Sequence, residues 1–239
     1  MKKNILVIAI LLIPVLVFTQ TSTEEEVMVS FNLKAGPLFQ SYSFELPGFN
    51  NDLNSGTASS TGVLVGADVL IKKNWFGLIT TLYGRTCGAD ESFYLDTYEL
   101  SSFSSGKFYS VGVLSGLYFE LPLGSGILNS IYAKVQAGSM RTYFPKHELN
   151  FTDSYLTSVQ IESKVSSGFV SNIGLGAKFK IGENAMIGLD FNLMRETADI
   201  HSTQILDYSD ITISNERIEQ YLEWDQFLFN PNIGFTLNF

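Results

Sequence analysis

The residues of this 239-residue chain best suited to chemistry are few: two histidines, one cysteine and a scatter of charges inside otherwise apolar segments. A hydrolase or acyltransferase needs a nucleophile with a base in reach, most often a histidine paired with a serine or an acid. His201 has Ser202 beside it and Asp199 two residues before it. Adjacent residues on a strand point to opposite faces, which separates His201 from Ser202. His147, in Lys146-His147-Glu148, lies in a polar stretch where a solvated side chain is expected. The single cysteine, Cys87, excludes an internal disulfide framework and a Cys-rich zinc site, and is expected as a packed small residue. Two histidines make a His-based metal centre hard to build. No catalytic residue, cofactor or metal is therefore expected. Paired acids such as Asp90-Glu91 suit a divalent cation, but solubility explains them more simply.

The composition narrows the class. With 15 Lys and Arg against 24 Asp and Glu, the formal net charge is -9. Nucleic-acid binding, which needs a basic footprint, is excluded. Only 16% of residues are charged, while 13% are aromatic and 20 are glycine. The start, Met1-Lys2-Lys3 followed by an apolar run from Ile5 to Phe18 and then Thr19-Gln20-Thr21-Ser22, has the order of a secretory signal peptide. The run is short of the roughly 20 residues of a membrane-spanning helix. Residues 1–19 are expected to be cleaved as the signal, leaving 20–239 as one domain.

What must position the inward charges is a set of strands. In Val63 to Ile71 every odd residue is apolar, while the even ones are Leu64, Gly66, Asp68 and Leu70. The same period of two returns in Val29–Gln40, Ser110–Leu121, Ile131–Ala137, Ile173–Ile181, Ile187–Leu193 and Phe227–Phe239. Trp75–Thr86 is an eighth segment whose parity is ambiguous. Short turns at 72–74, 122–126 and 182–184 alternate with long polar connections at about 43–60, 88–107, 145–167 and 197–224, which hold 15 of the 24 carboxylates. Strict alternation puts the long loops at one end. The fold expected is an all-β, eight-stranded antiparallel transmembrane β-barrel, with four long extracellular loops and short periplasmic turns.

A secreted lipocalin-type barrel would place the apolar face inside. Here the other face carries many glycines and a few charges, which suits a narrow filled lumen better than a solvent face. Aromatics near strand ends, Tyr109, Tyr143 and Phe144 beside loops and Trp75, Phe76 and Phe119 beside turns, suit interfacial girdles. Inward parity selects Lys34, Asp68, Glu120, Lys134, Lys178, Lys180 and Asp190, expected as a hydrogen-bonded ionic plug with Lys178 and Asp190 in reach of each other. Pro37 in the first strand and Pro231 in the last cannot donate to a ladder, so a weakened or bulged seam is expected there. In the last loop, Ile218, Tyr221 and Leu222 at helical spacing, with Ser214 as N-cap, predict a short amphipathic helix over 214–224.

The chain ends Asn232-Ile233-Gly234-Phe235-Thr236-Leu237-Asn238-Phe239, in which Phe235, Leu237 and terminal Phe239 resemble the signal by which outer-membrane barrels are recognised for assembly. With Gly174-Leu175-Gly176-Ala177-Lys178-Phe179 and the expected mature N-terminus Gln20, the whole mature chain resembles the PorT-like outer-membrane β-barrel proteins of Bacteroidota, small barrels of the OmpA and OmpX type. The resemblance implies an outer-membrane location, lipid and lipopolysaccharide as surroundings, and the barrel assembly machinery as a partner. Members of that group serve varied roles, some as accessories to secretion or assembly machines. The expected role is thus a non-enzymatic structural or interaction protein, an accessory subunit of a larger outer-membrane complex. A narrow transport or small-ligand barrel is the alternative, and a membrane-embedded lipid-modifying enzyme a more distant one.

Overall fold

A computed structural model of the chain describes residues 27–43, 58–98, 100–124, 126–152, 155–209 and 216–239. The expected signal segment, 1–19, lies outside the described residues. The elements run β1 (Met28–Ser43), β2 (Ala58–Lys73), β3 (Phe76–Cys87), α1 (Glu91–Tyr98), β4 (Leu100–Ser105), β5 (Phe108–Pro122) and β6 (Leu128–Phe144). They continue with β7 (His147–Phe151), β8 (Leu156–Ile161), β9 (Lys164–Lys180), β10 (Ala185–Tyr208) and β11 (Glu216–Asn238).

The strands form one antiparallel sheet. Its pairings run β11–β1–β2–β3–β5–β6–β9–β10, and β10 pairs again with β11. Each strand of that ring therefore has a partner on both sides, and no edge is left within it. Tight connections lie at one end. At the first, Lys73 pairs with Phe76 and Asn74 takes a left-handed φ of 56°. Asparagine tolerates that conformation better than most residues, which suits a two-residue hairpin.

The long connections differ from expectation. Among the described residues, α1 and β4 lie in the second, β7 and β8 in the third, and β10 and β11 run on into the fourth. Beyond the ring, β10 pairs with β8, β8 with β7 and β7 with β4, so a second piece of sheet rises from the loop side. The sheet therefore has eleven strands among the described residues, where eight are expected from the sequence. Buried Phe103, Leu149, Val159 and Ile161 anchor this extension. The helix expected over 214–224 is corrected to strand over its described part. Leu206 opposite Glu216 to Ala198 opposite Trp224 give its backbone a cross-strand partner at every step, which a two-turn isolated helix lacks.

Side chains on the ring divide by parity. Leu33 (54% exposed), Val65, Val111, Ile173, Leu193 and Ile233 (65%) point outward, while Lys134 (1%), Asp190 (3%) and Gln136 lie inside. Inward glycines make room for the larger groups. A Cβ on Gly174 would meet Lys134 Cε at 2.4 Å, and one on Gly112 would meet the Tyr83 ring at 2.4 Å.

Candidate functional site

The interior is layered. Five or six residues in from the turn-side strand ends, Lys34 Nζ lies 2.7 Å from Asp68 Oδ1 and 3.7 Å from Asp190 Oδ2, and Lys134 Nζ lies 2.5 Å from Asp190 Oδ2. Asn32 Nδ2 and Thr81 Oγ1 also donate to Asp68, at 2.9 and 2.6 Å. A second cluster gathers on Glu120. Lys72 approaches at 2.6 Å, Lys178 at 3.3 Å, the Ser130 hydroxyl donates at 2.5 Å and the Tyr118 hydroxyl at 3.1 Å. Lys178 also faces the Tyr118 and Tyr132 rings, 5.0 and 5.5 Å from their centroids.

All six residues read as an inward network, Lys34, Asp68, Glu120, Lys134, Lys178 and Asp190, are buried and carry these contacts. Two details differ from expectation. Lys178 pairs with Glu120 rather than Asp190, because Asp190 is opposite Gly176 while Lys134, reaching over Gly174, takes its carboxylate. Lys180 is exposed at the end of β9. Lys72, two residues past Leu70 on the inward side of β2, takes part instead.

Above the charges come amides. Gln136 Nε2 donates to Thr81 Oγ1 at 2.7 Å, and Asn172 Nδ2 to Gln136 Oε1 at 3.0 Å and Asn192 Oδ1 at 3.2 Å. Next is a pair that the sequence did not reveal. Arg85 forks onto Glu196, with its Nε 3.0 Å and its terminal nitrogen 2.5 Å from Oε2, and both side chains are fully buried. Tyr83 and Gln226 donate to the same carboxylate at 2.7 and 2.5 Å, and the Cys87 thiol donates to Gln40 Oε1 at 2.6 Å. Arg85 sits in the one segment whose parity was ambiguous. The alternation of Tyr83 and Arg85 with Leu82, Gly84 and Thr86 is the available signal.

The loop side is sealed by rings. His147, on β7, is buried (1% exposed) with Phe144 edge-on at 4.7 Å and Phe103 and Phe108 at 5.7 and 5.6 Å. Trp224 stacks on Phe108 at 5.1 Å, and Tyr94 of α1 on Phe103 at 4.2 Å. Burial holds the His147 imidazole neutral, with its pKa pushed down to about 3. His147 is thus not a solvated loop residue, and Phe144 belongs to this cap rather than to an outer girdle. His201 is exposed on β10, and Ser202 faces the other way, buried. Among the described residues, cavities of about 20 and about 10 Å³ lie within the ring. Each has about the room of one water.

The first and last strands meet at Pro37 and Pro231. Their ladder runs in one register to Ala35 opposite Ile233 and resumes at Phe39 opposite Phe229. Between these, Pro37 faces Pro231 with no ladder pairing, while β1–β2 and β10–β11 continue unbroken past both prolines. Asn230 Nδ2 bridges the gap by donating to the Pro37 carbonyl at 2.6 Å. The register does not shift, so the junction is unbonded rather than bulged. Phe235, Leu237 and Phe239 all point outward, exposed.

The fold and its contents define an all-β antiparallel protein with charged side chains inside the ring and apolar side chains outside it. No family model matches the chain, and no curated protein matches its sequence. Among solved structures it is similar to Ail, the attachment invasion locus protein of Yersinia pestis, at 12% identity, with 90% of this chain and 99% of that one covered and a TM-score of 0.40. It is similar too to Neisserial surface protein A, at 11% identity, 87% and 97% coverage and a TM-score of 0.41. The outer membrane protein OprG from Pseudomonas aeruginosa gives 12% identity, 91% and 99% coverage and a TM-score of 0.39.

Proposed function

We propose that the chain is an integral outer-membrane protein, an eight-stranded transmembrane β-barrel exported by a signal peptide over residues 1–19. Its role is non-enzymatic: an accessory subunit of a larger outer-membrane assembly, of the PorT-like kind found in Bacteroidota. The observation that carries the membrane reading is the inverted polarity of the ring. A water-soluble barrel would expose polar groups and bury apolar ones. Here Leu33, Val65, Leu193 and Ile233 face out while Lys34, Asp68, Lys134 and Asp190 face in. Hydrocarbon is the solvent that favours such an arrangement.

The filled interior supports a structural role over a conducting one, since two ionic clusters, an amide layer and an aromatic cap occupy its length. Phe235, Leu237 and Phe239 are the residues offered to the assembly machinery, and lipid and lipopolysaccharide meet the outer face. The test is a pull-down of the tagged protein from outer membranes in mild detergent, followed by native sizing. A large assembly is expected, and a lone barrel of its own mass would remove the accessory reading. The narrow transport reading rests on the two small polar cavities and is tested by liposome swelling, where solute entry above protein-free vesicles would favour it.

A further inference from the structure

The cations outside the interior fall into two groups. On the loop side the described residues include Lys107, Arg141, Lys146, Lys164, Arg195 and Arg217, all exposed. Three of these are paired: Lys146 with Glu148 at 3.7 Å, Arg195 with Asp225 at 2.6 Å and Arg217 with Glu162 at 3.0 Å. Among the described residues, Lys107, Arg141 and Lys164 have no ion pair. These three stand together at the loop-side ends of β5, β6 and β9. Tyr109 of β5 faces Tyr143 of β6 across the ladder, with ring centroids 6.1 Å apart. Lys107 is two residues before Tyr109, Arg141 is two before Tyr143, and Lys164 pairs with Phe144, one residue beyond it. Two residues are roughly 7 Å of strand, a distance that a long side chain spans. The carboxylates of Glu148 and Glu162 are already taken, and Asp199 stands beyond β9 from Arg141.

In a chain of net charge -9, three cations gathered without a counter-charge point to an anion from outside it. Beside and below them, Val111, Val165 and Phe169 are 54–59% exposed on the outer face. A dissolved anion would use only the cations. A lipid uses both surfaces, with its headgroup on the charges and a chain on the apolar residues. The tyrosine pair marks the level at which the two surfaces meet. Arginine and lysine give phosphate oxygens charge-assisted hydrogen bonds. We propose that this patch binds the phosphate of an anionic membrane lipid in the loop-side leaflet, held by Lys107, Arg141 and Lys164. The site rests on the membrane reading above but not on the accessory role.

The test is native mass spectrometry of the purified full chain in mild detergent, titrated with dioleoyl phosphatidic acid, dioleoyl phosphatidylcholine or inorganic phosphate. Phosphatidic acid is expected to be retained roughly a hundredfold more tightly than phosphatidylcholine, at about fivefold per cation. Lys107→Gln, Arg141→Gln and Lys164→Gln should each weaken its retention by about fivefold. Lys146→Gln and Arg217→Gln remove cations that are already paired and should change it by less than about twofold. All five residues are exposed, so the variants keep the fold. Equal retention of the two lipids would overturn the site and leave the membrane reading intact, whereas retention of neither would overturn both. Displacement of phosphatidic acid by an equal concentration of inorganic phosphate would show a site for the free ion and overturn the lipid assignment. Equal losses in the paired and unpaired variants would show an effect of total charge alone, and the patch would not be a site.

Discussion

The two ends of the interior are closed by different physics. On the turn side, the space within the ring is filled by ammonium and carboxylate groups whose hydrogen bonds cross from strand to strand. Lys34 of β1 reaches Asp68 of β2, and Lys134 of β6 reaches Asp190 of β10. On the loop side it is filled by Phe108, Phe144, His147 and Trp224, with α1 and β4 laid over them. Ion pairs are directional and costly to break singly, so the first region fixes which strand faces which. Ring contacts are weaker one by one but exclude water over a larger area. One region specifies the register and the other shuts the mouth.

That contrast predicts unequal responses to mutation. The largest effect is expected at Arg85, the layer between the two regions. Arg85→Met leaves Glu196 buried without its counter-charge and should cost about 3–5 kcal/mol in urea unfolding from lipid vesicles. Replacing both partners by methionine should recover most of that loss. Similar losses in the single and double variants would contradict the view that the pair matters through its charge.

The aromatic cap should respond to mild acid. His147 is neutral when folded, with its pKa near 3, whereas an unfolded histidine titrates near 6.5. Below pH 6.5 the unfolded state binds the extra proton, so stability falls as pH falls and the loss saturates only below about pH 3. By pH 5 the loss should reach about 2 kcal/mol, and His147→Phe should remove that part of the dependence. Equal pH profiles for wild type and variant would show that the cap is wetter than described.

A smaller effect is expected at the seam. Asn230→Ala removes the side-chain donor to the Pro37 carbonyl and should cost about 1 kcal/mol. Amide exchange should quicken in β1 and β11 before other strands. The smallest is expected at Arg195 and Asp225, an exposed pair on the outer face with contacts of 3.0 and 2.6 Å. Asp225→Asn should change stability by less than about 1 kcal/mol, because solvent screens such pairs.

The division between regions also marks what was legible in the sequence. The turn-side charges sit in strands of clean alternation, where a lysine or aspartate on the glycine-bearing face can only point inward, and so Lys34, Asp68, Lys134 and Asp190 could be read directly. Their pairing could not, because it depends on reach across non-adjacent strands: Lys178 meets Glu120 over β6, not its neighbour Asp190. The cap was invisible for a different reason. Its residues come from connections that look polar and irregular, and only tertiary burial separates His147 and Phe144 from solvated loop residues. Strands β4, β7 and β8 are short, and their apolar residues alternate over too few positions to stand out. The 214–224 segment shows helical spacing although it is a strand over its described part, because Ile218 and Leu222 fit either period.

The chain has two tryptophans, one in each environment, and they permit the most direct test of the inverted ring. Trp75 is 61% exposed beside Phe119 at the turn end, and Trp224 is 2% exposed within the cap. Single-tryptophan proteins, Trp224→Phe and Trp75→Phe, would be reconstituted into vesicles containing lipids brominated on the acyl chains. Trp75 fluorescence is expected to be quenched strongly by the brominated chains, and Trp224 to be insensitive both to them and to aqueous iodide. Quenching of Trp75 by iodide alone, with no effect of brominated lipid, would contradict a ring whose outer face lies in hydrocarbon.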